Sequence, residues 1–151
     1  MIYKLYTDGA TSNNGYEDSR GGYAWALLAN DKLYDYESYM VSPATNNYCE
    51  LMALIQGCER VEADLEPFDV VLVYSDSAYC INCYKQRWYE NWQRNGWINS
   101  KKQPVANREL WEKLIPYFYD VRFKFEKVKG HTDDKWNNFV DKLAVEAKFN
   151  G

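Results

Sequence analysis

The sequence has few of the residues that bind soft metals: it contains one histidine, His131, and four cysteines. Only Cys80 and Cys83 lie close together in the chain, and one C-x-x-C pair cannot complete the tetrahedral ligand set of a structural zinc ion. The sequence therefore argues against a zinc site and excludes a site built from several histidines. We expect all four cysteines to be buried thiols, as is usual in a reducing cytoplasm.

Long apolar runs are also missing. No segment approaches the roughly 20 apolar residues that a membrane span needs, and no secretory leader pattern follows Met1. With 151 residues, of which 46% are hydrophobic, the chain can bury the core of one domain. We therefore expect a single domain over residues 1–151 that is cytoplasmic and monomeric and does not associate with a membrane.

An excess of positive charge, common in nucleic-acid-binding proteins, is absent, because the formal net charge is −4. The charge is unevenly distributed, however. Residues 85–113 contain seven Lys or Arg and three Asp or Glu, so this segment carries +4 and the remainder −8. The segment also contains four of the six tryptophans, among them Trp88 and Trp92, which are one helical turn apart. These aromatic side chains could form a small core of their own, or they could line a sugar–phosphate track.

The sequence pattern predicts the element order β-β-β-α-β-α-α-β-α. Runs of β-branched and aromatic residues predict strands at 2–8, 21–28, 32–41, 70–74 and 121–128. Apolar periodicity predicts helices at 47–61, 77–95, 107–117 and 133–148. Asn46 or Asn47 is the expected N-cap of the first helix. Asn30-Asp31 suggests a hairpin, and residues 11–22 are expected to form a polar loop. A helical crossover favours parallel pairing of the strands that it joins. The sequence therefore predicts an α/β domain with a five-stranded mixed sheet, three antiparallel strands followed by parallel strands, flanked by helices.

Two of the predicted strands end in a similar way, with Asp8 after Tyr-Thr and Asp76 after Tyr-Ser. If these strands are parallel neighbours, the two carboxylates lie about 4.8 Å apart. Such close anions repel each other, so that one of them takes up a proton or a cation binds between them. The carboxyl ends of strands in open α/β sheets are also common places for ligand binding.

Glu50 and Asp141 are further candidates, near the start of the first predicted helix and on the last one. Helix capping is the ordinary interpretation of Glu50, and a solvated helix face that of Asp141. Together with Asp8 and Asp76, however, they would supply the oxygen ligands that Mg²⁺ prefers. Two such ions about 3.5–4 Å apart can support the hydrolysis of a phosphodiester. His131 could transfer protons near neutral pH, although a lone histidine more often has a structural role.

Five stretches of the chain, each on the expected element, resemble type 1 ribonuclease H of the bacterial single-domain form. They are YTDG at 6–9, TNNYCELMAL at 45–54, YSDS at 74–77, VKGH at 128–131 and DKLA at 141–144. The resemblance extends over residues 6–147 and implies the ribonuclease H-like fold. It also implies an endonuclease that cuts the RNA strand of RNA–DNA hybrids and leaves 5′-phosphate and 3′-hydroxyl ends. The implied cofactor is a pair of Mg²⁺ ions in each active site, with Mn²⁺ as a substitute.

The resemblance assigns roles to individual residues. Asp8, Glu50, Asp76 and Asp141 match the four metal-binding catalytic carboxylates of the family, and His131 matches its catalytic loop histidine. The implied substrate-binding residues are Gly9, Thr45, Asn46, Asn47, Trp88, Trp92 and Asn107. Thr45 and Asn107 fall where the family holds a DNA phosphate, and Asn46 and Asn47 fall where it contacts RNA 2′-hydroxyls. The two tryptophans belong to a segment that resembles the basic protrusion that cradles the DNA strand.

Two other interpretations remain open from the sequence. One is a nuclease of the same fold that acts on DNA. The other is a non-catalytic module that binds hybrids, which would be expected to lack at least one of the four carboxylates. Contacts to sugar and phosphate carry no direct base information, so cleavage is expected to be largely independent of sequence.

Overall fold

A five-stranded mixed β-sheet forms the centre of the protein, whose computed structural model describes residues 1–14, 16–128 and 134–149. The strands are β1 (Ile2–Ser12), β2 (Arg20–Ala29), β3 (Lys32–Val41), β4 (Val70–Ser75) and β5 (Phe123–Lys127). They are ordered β3-β2-β1-β4-β5 across the sheet. β1, β2 and β3 pair antiparallel, whereas β4 pairs parallel with β1 and β5 parallel with β4. This topology confirms the predicted fold class.

Helices cover both faces of the sheet. They are α1 (Asn46–Glu62), α2 (Ala78–Gln86), α3 (Trp88–Asn95), α4 (Arg108–Tyr119) and α5 (Lys135–Ala147). α1 packs on one face of β1 and β2, with α2 and α4 beside it, and α5 packs on the other face of the same two strands. Successive residues of β2 therefore alternate between two buried layers: Trp25 and Leu27 face α1, and Ala24 and Ala26 face α5. None of the helices in the described segments has the length and hydropathy of a membrane span.

The prediction of one helix over residues 77–95 is wrong, because two helices meet at Arg87. This residue adopts the left-handed conformation, with φ 57° and ψ 40°, and its N–H donates to the carbonyl of Cys83. The left-handed residue ends α2 and redirects the chain into α3. A left-handed conformation at arginine is uncommon, and no glycine or proline marks this break in the sequence.

The first strand is longer than predicted. The prediction ended it at Asp8 and placed a polar loop at 11–22, whereas β1 continues to Ser12 and β2 begins at Arg20. The parallel pairing with β4 ends at Tyr6, but the antiparallel pairing with β2 continues as far as the Ser12–Arg20 pair. One neighbouring strand is therefore enough to keep this polar segment extended.

The remaining boundaries fall within two residues of the predictions wherever the chain is described. The predicted hairpin at Asn30-Asp31 is confirmed, since both residues have positive φ, at 50° and 68°, as expected for a two-residue type I′ turn. All four cysteines are buried free thiols.

Candidate active site

The structure brings Asp8, Glu50 and Asp76 together at one end of the sheet. The parallel ladder between β1 and β4 ends with Tyr6 opposite Tyr74, and the two aspartates each lie two residues further along. Glu50 approaches them from α1. One carboxylate oxygen from each of the three residues lies within 4.8 Å of the other two, a spacing that suits a shared cation.

The approach of α1 to β1 depends on Gly9. A Cβ at this position would lie 2.8 Å from the carbonyl carbon of Cys49 and 2.8 Å from the amide nitrogen of Glu50. Any side chain would therefore push α1, and with it Glu50, away from Asp8. The N–H of Gly9 also donates to Oδ1 of Asp8 at 2.9 Å, which orients this carboxylate. The structure thus shows Gly9 in a packing role, whereas its predicted contact with substrate stays a prediction.

Glu50 does not cap α1. Thr45 is the N-cap, because its hydroxyl accepts the N–H of Tyr48 at 3.2 Å, and the prediction of Asn46 or Asn47 as the cap is wrong. Thr, Asn and Asn in succession are all good capping residues, so the sequence did not determine which of them caps. With Thr45 as N-cap, Glu50 lies one residue beyond the first turn and points into the carboxylate cluster instead.

The electrostatics of the cluster disfavour three separate anions. Asp8 and Glu50 are 3% and 9% exposed, whereas Asp76 is exposed. Burial, followed by the negative charge of Asp76 and a hydrogen bond with Asp141, raises the pKa of Asp8 to about 8. Burial and the charges of Asp8 and Asp76 also raise the pKa of Glu50 well above its ordinary value. Within the described residues, the buried Oε1 of Glu50 has no hydrogen-bond partner.

These properties fit a site for a divalent metal ion. A bound cation would compensate the repulsion between the carboxylates and would give Glu50 Oε1 the partner that it lacks. The donors are all oxygen atoms, as hard cations prefer. The cluster can therefore bind a divalent metal ion.

Asp141 reaches the cluster from α5, on the opposite face of the sheet from Glu50. Its hydrogen bond with Asp8 and its negative charge both raise the pKa of Asp8. The side chain of Asp141 is exposed and does not belong to the group of three whose oxygens lie within 4.8 Å. Three of the predicted carboxylates are thus tightly grouped, and the fourth, Asp141, interacts with one of them, Asp8.

The start of α5 is fixed by Asp134, which is not among the predicted site residues. Its carboxylate accepts the N–H groups of Trp136 and Asn137 at 3.0 and 3.2 Å. Burial, and then the charge of Asp134, raise the pKa of Tyr6 on β1 to about 12, and a hydrogen bond between the two side chains adds to this. Asp134 thereby links the helix that carries Asp141 to the strand that carries Asp8. The predicted catalytic histidine, His131, lies outside the described residues.

Two predicted substrate-binding residues line one cavity although they are far apart in the chain. Thr45, at the start of α1, and Asn107, which precedes α4, line the same surface cavity of about 270 Å³ together with Tyr16 and Ser19. Asn107 has a left-handed backbone conformation, with φ 59° and ψ 35°. The proximity of a hydroxyl and an amide is compatible with the predicted phosphate contact, which itself stays a prediction.

Asn46 and Asn47 follow Thr45 and are both exposed. The N–H of Asn46 donates to Oδ1 of Asn14 at 2.8 Å, and the hydroxyl of Thr11 donates to Oδ1 of Asn46. Neither contact was expected, because residues 11–22 were predicted to form a loop. The Asn-Asn-Gly stretch at 13–15 indicated a turn but did not indicate what the turn touches.

The tryptophans of the basic segment divide into two roles. Trp92 is 6% exposed and packs against Trp97 and Trp111, with ring centroids 6.1 and 5.4 Å away, so it belongs to the core of the segment. Trp88 is half-buried and lies beside a larger open cavity of about 730 Å³. Arg94 lines this cavity as well. The local aromatic core is therefore confirmed, whereas the contact of Trp88 and Trp92 with a sugar–phosphate track stays a prediction.

Carboxylates from β1, α1, the end of β4 and α5 lie at one end of a mixed sheet with this strand order. This arrangement defines an α/β domain of the ribonuclease H-like class. The sequence model of the RNase H family matches residues 2–149, and the chain belongs to this family. It is 44% identical over 143 residues to "Ribonuclease H" of Syntrophomonas wolfei, covering 95% of this chain and 93% of that protein. It is 42% identical over 143 residues to "Ribonuclease H" of Clostridium botulinum, with the same coverage of both chains.

The fold is also similar to that of solved structures. LC11-RNase H1, solved in complex with an RNA/DNA hybrid, superimposes with a TM-score of 0.71 at 20% sequence identity, covering 97% of this chain and 96% of that one. At this level of identity the similarity supports the fold, and the family assignment rests on the sequence matches.

Proposed function

We propose that this protein is an endonuclease that hydrolyses the RNA strand of RNA–DNA hybrids. The observation that carries the proposal is the buried, unpartnered Oε1 of Glu50 in a carboxylate group whose oxygens lie within 4.8 Å of each other. A bound cation would compensate the charge of such a cluster, and a metal bound by carboxylates at the end of a sheet is suited to phosphodiester chemistry. The relatives named Ribonuclease H, and the hybrid bound by LC11-RNase H1, support the choice of substrate.

Mg²⁺ is the proposed cation, with Mn²⁺ as a substitute. Asp8, Glu50, Asp76 and Asp141 would hold two ions. When bound, such a pair would supply the activation of the attacking water and the stabilisation of the leaving oxygen, in keeping with 5′-phosphate and 3′-hydroxyl ends. The chain's own contribution is to hold the carboxylates in place: Gly9 orients Asp8 through its N–H.

His131 is proposed to assist proton transfer near the cluster, because its ordinary pKa lies close to neutral pH. This role rests on the sequence resemblance. Replacing His131 by Ala is expected to slow turnover by a factor of up to about 10²–10⁴, the usual range for acid–base assistance. Replacing Asp8 by Asn should abolish turnover altogether.

The two strands of the hybrid are proposed to bind on either side of the carboxylates. Asn46 and Asn47, both exposed at the start of the helix that carries Glu50, would contact 2′-hydroxyls of the RNA, the groups that distinguish RNA from DNA. The cavity shared by Thr45 and Asn107 would receive a phosphate of the DNA strand. Trp88, in the segment with charge +4, would contact the same strand further along.

A cleavage assay with three substrates tests this proposal. End-labelled RNA–DNA hybrid, double-stranded RNA and duplex DNA of the same sequence are incubated with the protein in Mg²⁺, Mn²⁺ or chelator. We expect cleavage of the RNA strand of the hybrid in either metal and no cleavage with chelator. Asp8→Asn and Asp76→Asn should be inactive but folded. Glu146→Gln, which removes one exposed negative charge from α5, serves as the control and should remain active.

Each alternative predicts a different pattern in the same assay. Cleavage of duplex DNA in preference to the hybrid would indicate a nuclease with another substrate. Tight binding of the hybrid without turnover in either metal would indicate a binding module. An active Asp8→Asn variant would contradict the assignment of the carboxylates.

A further inference from the structure

The end of β1 and the start of α1 are joined by side chains that meet at Asn46. Thr11 lies three residues beyond Asp8, where β1 is paired with β2 through the Thr11–Gly21 pair, so its backbone position is fixed by the sheet. Asn46 is the first residue of α1, next to its N-cap. The contact between the two therefore joins elements whose positions are independently set.

Two hydrogen bonds determine how Asn46 is held. Its backbone N–H donates to Oδ1 of Asn14, which fixes the main chain at this point. Its side-chain Oδ1 accepts the hydroxyl of Thr11. The second bond fixes the orientation of the amide group, because an asparagine side chain carries its acceptor and its donors at opposite corners.

With Oδ1 of Asn46 directed at Thr11, the NH₂ group lies at the corner of the amide that points away from Thr11 and is available to a ligand. Without the hydroxyl, the amide could rotate by 180° and present either an acceptor or a donor. We infer that Thr11 is a positioning residue that presents Asn46 to the RNA strand as a hydrogen-bond donor, directed at a ribose 2′-oxygen. This inference rests on the proposed function, in which Asn46 contacts the RNA.

In this contact Asn46 is the hydrogen-bond donor and the ribose 2′-oxygen is the acceptor. Replacing the 2′-hydroxyl by other groups tests this direction. A 2′-hydroxyl can accept and donate, a 2′-fluoro group offers only an acceptor, and 2′-deoxy offers neither. If Asn46 donates, a 2′-fluoro group at the contacted nucleotide should be tolerated better than 2′-deoxy. If Asn46 accepted instead, the two substitutions would weaken binding equally.

The experiment measures dissociation constants in Mg²⁺ for hybrids with one modified ribonucleotide at each position in turn, in the cleavage-deficient Asp8→Asn background. With Thr11 present, we expect 2′-deoxy at the contacted position to weaken binding by about 2- to 10-fold, the range for one neutral hydrogen bond. We expect 2′-fluoro to weaken it less. Thr11→Val, which keeps the shape and removes the hydroxyl, should abolish the difference between the substitutions and weaken binding of the unmodified hybrid.

Two variants separate positioning from a general structural role. Thr11→Ser keeps the hydroxyl and should restore the 2′-fluoro preference. Ser12→Ala removes the neighbouring hydroxyl, which points to the other face of the strand, and should leave the preference unchanged. Thermal unfolding checks that each variant is folded. We expect Thr11→Val to fold, because valine is well suited to a strand.

The outcomes distinguish this inference from the function on which it rests. The role of Thr11 would be overturned if 2′-deoxy and 2′-fluoro weakened binding equally with Thr11 present, or if Thr11→Val kept the preference for 2′-fluoro over 2′-deoxy. In either case the proposed function would stand as long as the protein still binds the hybrid more tightly than duplex DNA. Loss of the preference for hybrid over duplex DNA in the Asp8→Asn background with Thr11 intact would contradict the proposed function itself, and the inference with it.

Discussion

Gly22 of β2 lies directly beneath Ala144 of α5, so that a Cβ on Gly22 would come within 2.0 Å of the carbonyl oxygen of Ala144. The same Cβ would lie 2.8 Å from the amide nitrogen of Lys148. Both neighbours are backbone atoms, one in α5 and one in its C-cap residue, and cannot rotate away. Since Asp141 precedes Ala144 by about one turn, this contact sets how closely the fourth carboxylate approaches Asp8.

Gly22→Ala is therefore expected to displace α5 and to impair both stability and cleavage. Overpacking of this kind typically lowers the free energy of unfolding by about 1–3 kcal/mol. Urea unfolding measures the loss, and hybrid cleavage in Mg²⁺ shows whether Asp141 has moved away from Asp8. We expect the cleavage rate to fall in conditions under which the variant remains fully folded.

Gly57→Ala is the matched control. The three atoms nearest to a Cβ at Gly57, within α1, all belong to the side chain of Leu5, with Cδ1 and Cδ2 at 2.9 Å and Cγ at 3.2 Å, and a side chain can shift more easily than helix backbone. Alanine also improves helix propensity by about 1 kcal/mol over glycine. A loss of stability in Gly57→Ala as large as that in Gly22→Ala would show that the contact with Ala144 has no special importance.

The carboxylate cluster predicts an unusual dependence of stability on pH when no metal is bound. The pKa of Asp8 is raised to about 8, chiefly by burial, whereas an aspartate in an unfolded chain has a pKa of about 3.9. Between these values the folded state holds the proton more tightly than the unfolded state does. The free energy of unfolding should therefore fall as the pH rises from about 4 to about 8.

Urea unfolding in chelator at pH 5 and pH 8 checks this expectation. Asp64, Asp69 and Asp120 have lowered pKa values, so their contributions change only below this pH range and do not obscure the result. Asp8→Asn should be more stable than the parent at pH 8 and should show a weaker dependence on pH. Adding Mg²⁺ at pH 8 should stabilise the parent, because a ligand that binds only the folded state favours it. Stability that rises from pH 5 to pH 8 in chelator would refute the prediction.

The sequence predicted that Asp8 and Asp76 lie together because each follows a run of β-formers. The sequence also indicated, through the helical crossover between the two strands, the parallel pairing that leaves both carboxylates at one end of the sheet. It could not predict the break at Arg87, where a non-glycine residue takes a left-handed conformation. Nor could it identify the need for glycine at position 22, because the neighbour that requires it, Ala144, is more than 100 residues away in the chain.

Thr45 combines two roles that substitutions can separate. Its hydroxyl caps α1 by accepting the N–H of Tyr48, and it lines the cavity shared with Asn107. Thr45→Val should lose the cap, at a cost of about 0.5–2 kcal/mol in unfolding free energy, and should also weaken hybrid binding. Thr45→Asp keeps a good capping residue but brings a negative charge to the proposed phosphate site.

Thr45→Asp should therefore be nearly as stable as the parent while its affinity for hybrid falls. Thermal unfolding and hybrid titrations at two salt concentrations measure the two effects separately, and the loss of affinity should be larger at low salt, where repulsion is less screened. If Thr45→Asp binds the hybrid as tightly as the parent at low salt, no phosphate lies near this cavity.

The basic segment should contribute to binding through charge, and the salt dependence of affinity measures this directly. Arg94 and Lys101 line the open cavity beside Trp88. Each phosphate contact that is lost reduces the slope of log K against log salt by about 0.9 for a B-form duplex, and we expect a comparable change for a hybrid. Replacing both residues by Gln should therefore lower the slope by up to about 2 and should raise KM more than it lowers kcat.

Lys32→Gln is the control, because Lys32 pairs with Ala29 beside the β2–β3 hairpin, at the end of the sheet opposite the carboxylates. A change in slope as large in Lys32→Gln as in the double variant would indicate that the protein attracts the hybrid through its overall charge and not through this segment.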